Sequence, residues 1–321
     1  MSIPELLMIP TEINTNEKIK IQREEENEKT KYSWDYAVQD SYKKQNKIAR
    51  GSSSIIHLAR HYKHRRVVIK EYIDPSRLID SEYELYLLKM CQDCGPIVYD
   101  TWISREGTFN IAMEEMSCTL YDCLVYMEMR MMNKIVFIKN FFKKIRDLHK
   151  KVVHFDLKPQ NIGILANFEC KLLDFGLAEK VESLTDKIFI EEMDYGNIVK
   201  MSTFYRPPEG FLPLDPMTEK SDIWSVGCIL WDLVSENPDE PLFNGIELDE
   251  SPDSDPDKGG VFYKDFILKK GIERVNKLKD GQNTIFIQKM YDTISNCLRY
   301  NQNERPSAQE LVDDWNEFMP I

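Results

Sequence analysis

The chain has 321 residues, of which 42% are hydrophobic, 11% aromatic and 30% charged. That is enough apolar material to bury a large core, and it excludes a chain disordered throughout, a fibre or a small disulfide- or metal-stapled module. Forty-two Lys and Arg against 54 Asp and Glu leave a net charge of −12, the wrong sign for a protein that grips nucleic acid by its phosphates. No apolar stretch reaches the ~18 residues of a membrane span. Met1 to Pro10 carry Glu5 and no basic run, so no secretory leader is expected. Seven scattered cysteines, an odd number, suit a chain kept reduced in the cytoplasm or nucleus. Cys91 and Cys94 with Cys118 and Cys123 are enough ligands for a zinc, but the spacing between the pairs is unfamiliar and no His lies close; ordinary thiols are expected.

The first elements predicted are strands. Residues 1–43 form a charged extension, with Glu24-Glu25-Glu26 inside the run Glu17 to Lys31, and the aromatic residues Trp34, Tyr36 and Tyr42 mark where packing begins. From Ile48 to Lys70 the pattern is strand, turn, strand, with Ile55-Ile56 and Val67-Val68-Ile69 flanking the basic turn Lys63 to Arg66. A helix follows over Ser81 to Met90, capped by Asp80 or Ser81, then strand pieces near Ile97 to Tyr99 and Phe109 to Met113.

After about Met116 the character becomes helical. Ile135, Ile138, Phe142, Ile145 and Leu148 keep helical spacing over Asn133 to His149, and a second apolar helix is expected over Ser221 to Val234. The last, Ser307 to Phe318, opens with Ser307 and Glu310 in capping-box spacing. An acidic insert, 247–257, surrounds Ser251 and Ser254 and reads as a solvated loop.

Chemistry is concentrated in His154-Phe155-Asp156-Leu157-Lys158-Pro159-Gln160-Asn161, followed by Asp174-Phe175-Gly176. Phosphoryl transfer needs a carboxylate at the attacking hydroxyl, two oxygen ligands for a metal and cations for the developing charge. Asp156, Asn161, Asp174 and Lys158 are the right types.

On these residues the chain resembles the eukaryotic protein kinases, serine/threonine branch, over roughly residues 44–318. The resemblance implies an α+β, two-lobed fold: an antiparallel sheet with one helix up to about residue 116, then a mainly helical lobe. It implies Asp156 and Lys158 as catalytic, with Lys70 in Val67-Val68-Ile69-Lys70 on the phosphates and Glu84 as its partner. It implies Asn161 and Asp174 as ligands for Mg²⁺, or Mn²⁺ in its place. ATP would contact the phosphate loop at Ile48, Ala49, Gly51, Ser52, Ser54 and Ile56. Val68 would lie above adenine, with Met113 as gatekeeper, Glu114 and Met116 in the hinge, and Gly163 below. Pro207-Pro208-Glu209 resembles the end of the activation segment, with Arg305 as the ion-pair partner of Glu209, and Asp222 as the anchor of the catalytic loop. Tyr205 to Glu209 and Pro241 to Gly245 lean toward the cyclin-dependent and mitogen-activated kinases.

The expected activity is transfer of the γ-phosphate of ATP to Ser/Thr hydroxyls of protein substrates, with neither nucleic acid nor membrane as partner. Three departures support the alternative of a pseudokinase scaffold. Only Gly51 remains of the three loop glycines, Phe155 replaces the Arg that binds a phosphorylated activation loop, and Gly163 replaces a bulky residue whose lost volume Val68 would offset.

Overall fold

The structure, a computed structural model, describes residues 36–51, 53–74, 78–185, 202–211, 216–237, 240–243, 269–281 and 284–318. The extension up to residue 35, Ser52, residues 186–201 and the acidic insert 247–257 lie outside them. The chain divides into two units, one running through Tyr86 and including Ile97–Glu115, the other formed by Leu87–Pro96 and the residues from Met116 onward.

The first unit is built on an antiparallel sheet. Strands β1 (Tyr42–Arg50), β2 (Ser54–His61), β3 (Arg65–Tyr72), β4 (Val98–Ile103) and β5 (Phe109–Met113) run in the spatial order β1-β2-β3-β5-β4. The turn of residues 62–64 pairs His61 with Arg65, and Lys70 stands opposite Ile56 on one side and Ile111 on the other. Alternation along β3 sends Val67 and Ile69 to one face, where they are buried with Tyr42, Ala59, Trp102 and Ala112. Val38 of the short helix α1 (Tyr36–Asp40) packs on this cluster. Strand β1 is absent from the sequence expectation because Lys43, Lys44, Gln45, Asn46 and Lys47 are polar and exposed; pairing with β2 makes it a strand. Helix α2 (Leu78–Met90) starts upstream of the expected cap. Asp80 and Ser81 lie inside it, and the Ser81 hydroxyl donates to the Leu78 carbonyl at 2.7 Å.

In the second unit, β6 (Cys118–Thr119) leads into α3 (Leu120–Tyr126) through a capping box of Thr119 and Asp122. Helix α4 (Met131–Leu148) buries Ile135, Phe137, Ile138, Phe141, Phe142, Ile145 and Leu148, the stripe that the periodicity predicts. The basic residues along it are largely spent locally: Lys144 on the Asp93 carbonyl, Arg146 and Lys150 on Asp147, and Lys151 on the Met90 carbonyl.

Strands β7 (Val152–Val153), β8 (Ile162–Ile164), β9 (Cys170–Leu172) and β10 (Glu179–Lys180) are short; β10 pairs with β7, and β8 lies between β6 and β9. Helix α5 (Glu219–Val234) is buried at every position from Ser221 to Leu233, Asp222 and Asp232 included. Gly227 lets it meet α7 (Ile285–Cys297), since a Cβ there would stand 2.8 Å from Cys297 Cβ. Helix α6 (Lys269–Gly281) and the terminal α8 (Ala308–Asn316) complete the unit. The predicted capping box is present, with Ser307 and Glu310 satisfying each other's backbone N–H. Trp315 of α8 meets Phe142 of α4 edge-on at 5.8 Å.

Candidate active site

In the first unit, β3 and α2 bring Lys70 and Glu84 together. Lys70 Nζ donates to Glu84 Oε1 at 2.6 Å, Tyr72 donates to the other oxygen, and both members of the pair are buried. The carboxylate fixes the ammonium on β3. Ile48 and Ala49 lie exposed near the end of β1, and Gly51, also exposed, donates its N–H to the Ser54 carbonyl at 2.9 Å, closing a tight turn. Ser54 is buried at the start of β2, and Ile56 and Val68 are half-buried. Met113 is buried opposite Val68. The Glu114 N–H is spent on the Ile97 carbonyl at 2.8 Å, so only the carbonyl of its backbone could meet a base.

In the second unit, four groups converge on Asp156. Lys158 Nζ donates to Oδ2 at 2.7 Å and Asn161 Nδ2 donates to Oδ2 at 2.9 Å. Ser202 Oγ donates to Oδ1 at 2.7 Å, its backbone N–H reaches the same oxygen at 3.2 Å, and Lys158 also donates to Ser202 Oγ at 2.7 Å. The arrangement leaves a carboxylate that is an acceptor on both oxygens with a cation alongside. Because Asn161 turns its amide N–H toward Asp156, Oδ1 is the atom it can offer a cation. Asp174 is exposed at a φ of 61°, and an amide oxygen with a carboxylate is a hard donor set suited to Mg²⁺.

The loop carrying these groups is hung from α5. Asp222 accepts from the backbone N–H of His154 at 2.8 Å and of Phe155 at 2.9 Å, and from His149 Nε2 at 3.0 Å. His154 in turn donates Nε2 to the Leu173 carbonyl at 3.0 Å, joining the loop to the Asp-Phe-Gly segment, whose Phe175 lies 5.2 Å from its ring. Phe155 adopts a φ of 62°, a left-handed conformation costly for a side chain with a Cβ. It is buried with Val153 and Met217, and Leu177, Val181 and Leu184 pack against the group.

Arg305 and Glu209 form a bidentate, buried pair at 2.6 and 2.7 Å. The arginine also donates to the Arg299, Lys220 and Tyr300 carbonyls and stacks over Trp224 at 5.1 Å.

Gly163 is buried on β8. The space a side chain would take there is filled from the same unit: a Cβ at Gly163 would stand 2.3 Å from Met116 Cγ and 2.8 Å from its Sδ. The contact of Ser202 with Asp156 follows from the path of the segment before Glu209. Gln160 is exposed, and Ser183 lies in the short turn Glu182–Thr185.

A lysine held by glutamate on a sheet, and a clamped aspartate on a loop anchored to a buried helix, define a phosphotransferase scaffold. The protein kinase domain family matches residues 42–315, and the chain belongs to that family. It is similar to a probable serine/threonine-protein kinase, glkA, of Dictyostelium discoideum, with 25% identity over 283 residues, 83% of this chain and 56% of that protein. It is similar also to the G2-specific protein kinase nim-1 of Neurospora crassa, 28% identical over 166 residues, 50% of this chain and 15% of the relative. The mitogen-activated protein kinase homolog NTF6 of Nicotiana tabacum is 36% identical over 110 residues, 34% of this chain and 26% of the relative. The chain therefore spans little more than half of the first of these relatives and less of the others.

Proposed function

We propose that the chain is an active protein kinase that transfers the γ-phosphoryl group of ATP to serine and threonine hydroxyls of protein substrates. The observation that carries this reading is the clamp on Asp156: a carboxylate that accepts from a serine hydroxyl at 2.7 Å with a lysine ammonium touching both groups. ATP, when bound with Mg²⁺ or Mn²⁺, supplies the phosphoryl group and the metal charge that neutralises it.

The chain's own residues do the rest. Asp156 orients the incoming hydroxyl and takes its proton, while Lys158 adds positive charge where the phosphoryl oxygens gather. Asn161 and Asp174 would hold the metal, and Lys70, kept in place by Glu84, would meet the phosphates. Ile48, Ala49, Gly51, Ser52, Ser54, Ile56, Val68, Met113, Glu114, Met116 and Gly163 contact the nucleotide. Free thiols at all seven cysteines are in keeping with a cytoplasmic or nuclear location.

The test is to incubate purified protein and its Asp156→Asn variant with labelled ATP, Mg²⁺ and mixed protein acceptors. A loss of about 10²-fold or more is expected on removing the general base, with phosphoserine and phosphothreonine as products. Equal labelling by both proteins would point to a scaffold without catalysis.

A further inference from the structure

We propose that Cys118 and Cys123 form a reversible disulfide, a redox modification site that closes between β6 and α3. The sulfurs lie 3.2 Å apart, and a disulfide needs about 2.05 Å, a gap that small side-chain rotations span. The two cysteines are held by the capping box between them: Thr119 N–H and Oγ donate to Asp122 Oδ2 at 2.8 and 2.7 Å, and Asp122 N–H returns to Thr119 Oγ at 3.2 Å.

The two thiols differ in access. Cys118 is part-exposed on β6, whereas Cys123 is 2% exposed on α3. Burial, Cys118 and Asp122 push the Cys123 thiol up to about 12, so it keeps its proton and Cys118 is the sulfur that meets an oxidant. With hydrogen peroxide as oxidant, the Cys118 thiolate attacks one oxygen; an S–O bond forms, the O–O bond breaks, and hydroxide leaves as water on taking a proton. Cys123 sulfur then attacks Cys118 sulfur, the S–S bond forms, the S–O bond breaks, and the second hydroxide leaves with the Cys123 proton as water. Two thiols are oxidised by two electrons in all and one peroxide is reduced to two waters.

Spacing alone would select the other pair, Cys91 and Cys94, because a Cys-X-X-Cys run is the familiar redox motif. The structure argues against it. Both of those thiols are buried, burial pushes them up to about 12 and about 11, and Cys94 donates instead to the Lys144 carbonyl at 3.4 Å.

The full chain, fully reduced, is treated with a few equivalents of hydrogen peroxide, unfolded in guanidinium chloride with N-ethylmaleimide to block every free thiol, and digested with trypsin. Cys118 and Cys123 are the two cysteines of one tryptic peptide, Glu106 to Arg130. That peptide is expected to lose both maleimide labels and about 2 Da for the bridge, and to regain its thiols with dithiothreitol, while the peptides with Cys91, Cys94, Cys170, Cys228 and Cys297 stay labelled. In Cys123→Ser, Cys118 is expected to be trapped by dimedone as the sulfenic acid. Retention of both labels, bridging of Cys91 to Cys94 first, or passage of Cys118 to sulfinic acid with Cys123 still labelled would each overturn the proposal.

Discussion

Met116 occupies the volume that a side chain at Gly163 would claim, its Cγ only 2.3 Å from where a Cβ would be built. The glycine is therefore paired with one particular neighbour. Gly163→Ala is expected to cost about 1–3 kcal/mol through overpacking. In a Met116→Ala background the same substitution costs much less, because the clashing atoms are gone. Urea unfolding of the two single variants and the double variant measures the coupling, and a coupling within about 0.3–0.5 kcal/mol of zero would show that Met116 does not hold this place.

Glu209 and Arg305 are buried, 3% and 2% exposed, so loss of one charge strands the other. Glu209→Gln is expected to destabilise the chain by about 3–5 kcal/mol. A lowered urea midpoint with unchanged slope reports it, and a midpoint equal to that of the parent would mean that the Arg305 carbonyl partners suffice.

Phe155 is buried, and Leu177, Val181 and Leu184 pack where Phe155, Val153 and Met217 gather. A phenyl ring offers a phosphate nothing to bind, so phosphatase treatment is expected to leave kinase activity intact. Abolition by phosphatase, with recovery on phosphorylation within residues 177–205, would contradict it. Phe155→Ala is expected to cost about 3–5 kcal/mol in stability.

Asp232 is held protonated near neutral pH: burial pushes it up to about 8, against the smaller downward effect of the Tyr205 hydroxyl, which donates to Oδ2 at 2.8 Å. Its folded value lies above its unfolded one. The associated stability is therefore fully present below about pH 4, and declines as pH rises to about 8. Asp232→Asn removes this dependence. Urea midpoints from pH 5 to 9 are expected to favour the Asn variant progressively toward the alkaline end; a constant difference would contradict the raised value.

The catalytic loop, the Asp-Phe-Gly segment, the strand lysine and the long helices are legible in the residue order because their chemistry or periodicity is local. Ser307 with Glu310 and the stripe of α4 need only neighbours three or four positions away. Three things needed the folded chain. Strand β1 carries polar residues and is a strand only because β2 pairs with it. Ser202 reaches Asp156, and Cys118 contacts Cys123 while Cys94 turns to a carbonyl, through side-chain positions that spacing does not encode. The motifs indicated phosphate chemistry, because residue type decides which groups are available. What surrounds Gly163, Phe155 and Asp232 was decided by tertiary packing, since volume and dielectric belong to the atoms brought alongside and not to the residue itself.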